Sequence, residues 1–433
     1  MAARVFDRLS PRWAVVGLLV GLTLPQSLLA LPIAAADVGV WPALGLLAVI
    51  GTLMALCIAG EAEALSRDGD FLRKGGFFGK FIEHYLGSAA ATIPTALAAL
   101  RTGMSVLAGY VGICTTLAEL TDLSRPLWGA LTIVALALAL ARGGVRTPAA
   151  VGALIGLGCL PLLAAIAAIA LGHGGSLQLP PTPAFSGSAL GGLVGLVLIL
   201  YMGSVYVVQV AREALPADPD GRALISGSAI ATLATTAIAA AWLLATSAVL
   251  PPSRLSSEVG TVLGPLAAQS GAAVTVLGAL LTILLLGLGT ERAAVALLDL
   301  VEERLPGRRL LPAAVPLAVC LVGEGLLDLG AVSFSGIFNA AGIAANVVLG
   351  LALPGLLLAA ARASGDIEPG LRVPLLGRRA FLAALLIADA LLLIALATVL
   401  ADGALVRVLA PAALGALVAL VWLATPRRRR GCG

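Results

Sequence analysis

The stretch Trp13–Asp37, WAVVGLLVGLTLPQSLLALPIAAAD, decides how this chain folds. It is long enough to cross a bilayer as a single helix. Yet Thr23, Pro25, Gln26 and Ser27 fall where a simple anchor would be most apolar. Proline removes a backbone donor and clashes with the preceding helical turn. A break at membrane depth leaves backbone groups that hydrocarbon cannot satisfy, so it persists only inside protein or beside a polar cavity. Transporters build midplane sites from such discontinuous helices. The stretch therefore predicts an all-α polytopic membrane protein whose first helix is broken.

The rest of the chain agrees. Of its 433 residues 60% are hydrophobic and only 12% are charged, and the mean hydropathy is +1.06. Soluble domains do not have this composition. Hydropathy places about twelve spans, the fourth and ninth short and the third and eighth long. With the N-terminus inside and the sides alternating, 22 of the 27 cations fall on the inner side. Only Arg125, Arg254 and Arg407 fall outside, and Arg101 and Arg292 lie within spans. That bias follows the positive-inside rule and predicts a multi-pass protein of the cell inner (plasma) membrane with both termini cytoplasmic. The net charge of +4 is thus topological and does not point to nucleic acid. The basic tail Arg427–Arg430 reads as a topology determinant that can also meet lipid headgroups. The N-terminal apolar run reads as a retained first helix, being too long for a signal core.

Several function classes are excluded. Cys57, Cys114, Cys159, Cys320 and Cys432 form no C-x-x-C pair, and His84 and His173 lie far apart. Neither a disulfide frame nor a metal centre is expected, and no cofactor. No H-E-x-x-H, G-x-S-x-G or phosphate-binding glycine loop occurs, so the chain reads as no enzyme and no ATP-driven pump. Gly152 and Gly156 read as an internal helix-packing contact.

Internal symmetry sharpens the reading. Residues 13–172 and 187–363 each hold five spans, and residues 376–425 hold two accessory helices. Five is odd, so the second set runs inverted. Each set opens with an interrupted helix, Pro25-Gln26-Ser27 in the first and Tyr201-Met202-Gly203-Ser204 in the sixth. Paired interruptions at matching positions are the best sequence pointer to a transporter site. The third member of each set is long and carries a buried cation, Arg101 in one and Arg292 in the other. A charge at the bilayer centre costs about 2.5–3.5 kcal/mol even on the lenient insertion scale, so these groups need partners. Pairing of Arg101 or Arg292 with Glu291 is one expectation; an inner vestibule reached by Glu291 and Arg292 is the other. Glu61 and Glu63, at the inner end of the second span, read as solvated.

The motifs also carry a resemblance. GLTLPQSLLALPIAAADVGVWPALGLL, with Pro32 and Val38–Pro42, resembles the opening of the amino acid–polyamine–organocation superfamily, in particular its aromatic and hydroxy amino acid permeases. LLDLVEERLP and FNAAGIAANVVLGLALPGLLLA resemble later segments of that family. The resemblance implies a LeuT-like fold with broken helices 1 and 6. It further implies a secondary amino acid transporter working by alternating access, coupled to protons or sodium. The lysines are confined to Lys74 and Lys80 in one loop, and Thr290 lacks a second hydroxyl beside it, which favours protons, or no ion at all, over sodium. The substrate is expected between Thr23, Pro25, Gln26 and Ser27 of helix 1 and Tyr201, Met202, Gly203 and Ser204 of helix 6. Ser105 and Asn339 face it, with Arg101, Thr290, Glu291 and Arg292 as ion-coupling or buried-charge residues. The departure Pro25-Gln26-Ser27 from the family's glycine-rich turn leaves open another small solute: an amine, a nucleobase or an inorganic ion.

Overall fold

The computed structural model describes residues 9–69, 78–141, 149–173, 186–201, 203–304, 310–400 and 403–424. Among them the regular structure is helical. The first span is α1 (Pro11–Thr23), a tight turn at Gln26–Leu29 and α2 (Leu31–Ala35). The break has a local cause. A residue before proline is pushed out of the helical region, and Leu24 duly sits at ψ 108°. Pro25 is also extended, and the chain re-enters a turn closed by Leu28 N donating to Pro25 O at 3.0 Å.

The second span is α3 (Val40–Ser66). The third span is long, as its apolar run predicts, but it is not one helix. Instead α4 (Phe78–Leu86) turns a corner at Gly87 into α5 (Ser88–Thr121). Gly87 has φ +85° and ψ 161°, a conformation essentially reserved for glycine. Spans four and five are α6 (Arg125–Ala141) and α7 (Ala149–Gly172). The sixth is again split, into α8 (Gly187–Ile199) and α9 (Gly203–Ala214). The seventh is α10 (Arg222–Ser247), followed by two short surface helices that hydropathy did not signal, α11 (Pro252–Leu255) and α12 (Leu263–Ser270). The eighth is α13 (Ala272–Leu281), a π-helical segment at Thr282–Gly287 and α14 (Leu288–Arg304). It starts at Gly271, φ +83° and ψ −168°, the same corner as before the third span. The ninth is α15 (Leu310–Asp328). The tenth is α16 (Phe334–Ala341), a π-helical segment at Gly342–Ala352 and α17 (Leu353–Ser364). Helices α18 (Arg379–Thr398) and α19 (Gly403–Ala424) pack on each other as the accessory pair.

This is the LeuT-like arrangement of two five-helix sets with helices 1 and 6 interrupted. Helix α10 packs against α3 and α1, α14 against α5, α1 against α7, and α8 against α16. The contacts of the broken helices repeat across the two sets. A Cβ on Gly156 of α7 would overlap the backbone of Gly21 in α1, so the two helices touch backbone to backbone. A Cβ on Gly342 would overlap the backbone of Gly195 in α8 in the same way. Gly156 thus packs internally, as expected from the G-x-x-x-G, and Gly152 lies under the Arg292 side chain.

Candidate functional site

The break in the first span opens onto a cavity of about 40 Å³. The break itself, residues 21–27, forms one wall. The others come from Ser105 of α5, Gly156 and Cys159 of α7, Tyr206 of α9, Phe338 of α16, and Leu284, Leu285, Gly289 and Arg292 of the eighth span. The site is assembled by that π-helical turn as much as by Pro25. A π-turn disturbs the regular carbonyl ladder, and the Leu286 carbonyl accepts two side-chain bonds, from Thr290 Oγ1 at 2.6 Å and from Gln26 Nε2 at 3.0 Å. Gln26 is also 3.4 Å from Thr290 Oγ1. Its amide is therefore turned to the eighth span and ties the break in place.

Ser27 is 1% exposed, lines the cavity, and its hydroxyl has no hydrogen-bond partner among the described residues. Thr23 and Ser105 line the cavity too, but their hydroxyls donate back to Leu19 O (2.7 Å) and Arg101 O (2.9 Å). Arg292 enters from α14. Its Nη1 donates to Leu22 O at 3.2 Å, and its Nη2 is buried with no partner among the described residues. Arg292 is the one charged side chain among the cavity's lining residues.

The other expected residues are placed elsewhere. Tyr201 lines a smaller void of about 10 Å³ with Thr23, Leu200 and Thr232, and its hydroxyl is hydrogen-bonded to Thr236 at 2.9 Å. Asn339 is buried against Gly195, with its Oδ1 unpartnered among the described residues, and lines neither void. Met202 lies outside the described residues; Gly203 and Ser204 open α9. Glu291 does not line the cavity, and its Oε1 accepts no bond from a described residue.

The expected pairing of Glu291 with an arginine is corrected. Arg292 holds a backbone carbonyl instead, and Arg101 Nη1 donates to Asn346 Oδ1 at 2.9 Å. Asn346 in turn donates through Nδ2 to Leu198 O, near the end of α8. A last-turn carbonyl has no intrahelical donor, so a buried side chain is its natural partner. Glu61 and Glu63 are corrected as well: both are fully buried. Glu63 accepts from Arg362 Nε and Nη2 (2.8 and 2.7 Å), Arg67 Nε (3.1 Å) and Val373 N (2.6 Å). Neither oxygen of Glu61 has a partner among the described residues. Asp389 of α18, 2% exposed with Oδ2 unpartnered among them, went unread; a lone carboxylate in the apolar run LLIADALLL was its signal. Cys57 lies within electrostatic reach of both carboxyl groups.

No protein-family model matches this sequence, and no curated protein matches it. Among solved structures it is similar to the manganese transporter of Eremococcus coleocola, in complex with an aromatic bis-isothiourea substituted compound. The TM-score is 0.59 at 16% identity, over 94% of this chain and 93% of that one. The resemblance to aromatic and hydroxy amino acid permeases is thereby overturned. The short apolar motifs that carried it reflect a shared way of breaking and packing helices, and the solved neighbour belongs to a different kind of transporter. What the comparison shows is the fold: this is a multi-pass membrane chain folded like that transporter over nearly its whole length.

Proposed function

We propose that the protein is a secondary transporter of a small solute other than an amino acid, an inorganic ion being the leading class. The observation that carries this reading is the position and lining of the cavity. It lies at the break of the first span and is lined by the Gln26 amide, hydroxyl groups and one guanidinium, with no carboxylate to hold an ammonium group. The amino acid expectation rested on the overturned resemblance and goes with it.

Proton coupling is supported by Glu61 and Asp389. Ionisable groups buried in spans are expensive and mark ion or proton pathways. Each of these two has an oxygen without a partner among the described residues. The distribution of arginines supports an orientation with both termini cytoplasmic.

The solved neighbour's manganese suggests a second reading, a divalent cation. Such ions take several oxygen ligands, usually with carboxylates among them. The lining offers Gln26 and hydroxyl groups but no Asp, Glu or His, and it includes a guanidinium. Among the described residues no group of three His, Cys, Asp or Glu side chains could hold a metal. Uptake into proteoliposomes separates the readings. Small inorganic ions and a pooled amino acid mixture are offered with and without an inward proton gradient. Gradient-stimulated entry of an inorganic ion is expected; entry of amino acids alone would refute the proposal.

A further inference from the structure

The two intramembrane arginines do the same thing in the two halves of the molecule. Arg292, in the eighth span, reaches Leu22, the penultimate residue of α1. Arg101, in the third span, reaches through Asn346 to Leu198, the penultimate residue of α8. Both target carbonyls lie at the C-terminal ends of half-helices, where the backbone dipole is negative and the last carbonyls have no i+4 donor; Leu198 O also accepts from Tyr201 N at 3.2 Å. In broken-helix transporters such ends coordinate a mobile cation. Here the first is met by a guanidinium, that of Arg292, and the second by the Asn346 amide that Arg101 holds. Guanidinium does not lose its proton in proteins, so the seat at Leu22 holds fixed charge.

The two differ in one respect. Arg101 is fully buried and lies off the cavity. Arg292 lines it, with Nη2 unpartnered, as is the hydroxyl of Ser27, among the described residues. The lining residues therefore include one fixed positive charge and two buried donors, Arg292 Nη2 beside Gly152 and the Ser27 hydroxyl, that have no partner among the described residues. Glu291, next in sequence, lies outside the lining and does not neutralise it by contact. A free cation entering would meet an occupied carbonyl seat and a like charge. A small anion would complete both donors.

Resting on the transporter reading above, we infer that Arg292 is a tethered cation that closes the cation seat at the first helix break and, with Ser27, binds a small monovalent anion as the solute. Chloride, nitrate and formate share the required chemistry, and separate titrations distinguish inorganic anions from a carboxylate.

The test is the thermal midpoint of the purified full-length protein in detergent, at constant ionic strength made up with choline gluconate. Chloride, nitrate and formate are titrated as choline salts; sodium and manganese are titrated as gluconates. The wild type is expected to show a saturable rise with at least one anion and none with sodium or manganese. Arg292→Gln should weaken the anion response by about tenfold or more, the loss typical of a charge-assisted bond, and gain a response to a cation. Arg292→Lys keeps a charge at the seat and should still refuse cations; it serves if the glutamine variant does not fold. Ser27→Ala should weaken anion binding while leaving cations without effect. A saturable rise of the wild type with manganese or sodium, or an unchanged anion response in Arg292→Gln, overturns the inference. Uptake of the same ions into proteoliposomes separates it from the transport reading. Saturable anion binding without uptake refutes transport and leaves Arg292 assigned; cation uptake without anion binding does the reverse.

Discussion

Arg292 Nη1 donates to the carbonyl of Leu22, 270 residues earlier, at 3.2 Å. The bond joins the eighth span to the last turn of the first half-helix. Its counterpart needs an intermediary: Arg101 meets Asn346, and Asn346 meets Leu198. Replacing Asn346 by leucine would strip the Arg101 guanidinium of one acceptor and Leu198 O of its side-chain donor, leaving it Tyr201 N. Loss of a hydrogen bond to a charged group costs about 1.5–3 kcal/mol. Asn346→Leu is accordingly expected to lower the thermal midpoint strongly, measured by intrinsic fluorescence, and Asn346→Gln less.

The backbone contacts of the broken helices predict a sharp size limit. A methyl group at Gly156 or Gly342 meets backbone atoms, which cannot swing aside. Overpacking of this kind costs about 1–3 kcal/mol. Gly156→Ala and Gly342→Ala should each destabilise the protein by that order in a melting experiment. Gly158→Ala, two residues from Gly156 but with open space around it, should change nothing measurable.

Glu63 holds the inner end of the second span to the tenth. It accepts from two arginines and from the backbone of Val373 while fully buried. Bidentate arginine–carboxylate geometry is the strong form of this interaction. Glu63→Ala should cost about 3–5 kcal/mol, read as loss of folded yield or a large fall in midpoint. Glu63→Asp, reaching less far, should fall between.

Glu61 makes the opposite prediction. Its oxygens have no hydrogen-bond partners among the described residues, so its neutral isostere gives up no hydrogen bond and only the longer-range attraction of Arg101. We expect Glu61→Gln to keep or raise the thermal midpoint while removing stimulation of uptake by a proton gradient. An unchanged gradient response would take Glu61 out of the coupling scheme.

Much of the fold could be read from residues alone because its largest features have local causes. Pro25 breaks the first span by restricting Leu24, and the apolar runs and arginine bias set the number of spans. The candidate site was legible in part. Thr23, Pro25, Gln26, Ser27, Ser105 and Arg292 share one cavity, but Tyr201, Asn339, Arg101 and Glu291 lie off it. The arginines stood out as charges in spans, whereas their partners are backbone carbonyls and Asn346, which carry no charge to notice. Glu61 and Glu63 read as solvated because they sit near a span end. They are buried because α17 packs on α3 and the backbone at Val373 covers the same end. The π-helical turn at Thr282–Gly287 has no proline to announce it, and Gly287 and Gly289, the second of which lies under the Gln26 amide, look like ordinary span glycines in the sequence.

The glycine contacts have a mechanical consequence. Gly156 meets the backbone of Gly21, and Gly342 meets that of Gly195, beside which the Asn339 and Ile343 side chains also lie. Each broken helix is thus keyed to a different partner through main chain that cannot swing aside, and a shift of either half-helix must carry its partner's backbone or slide along it.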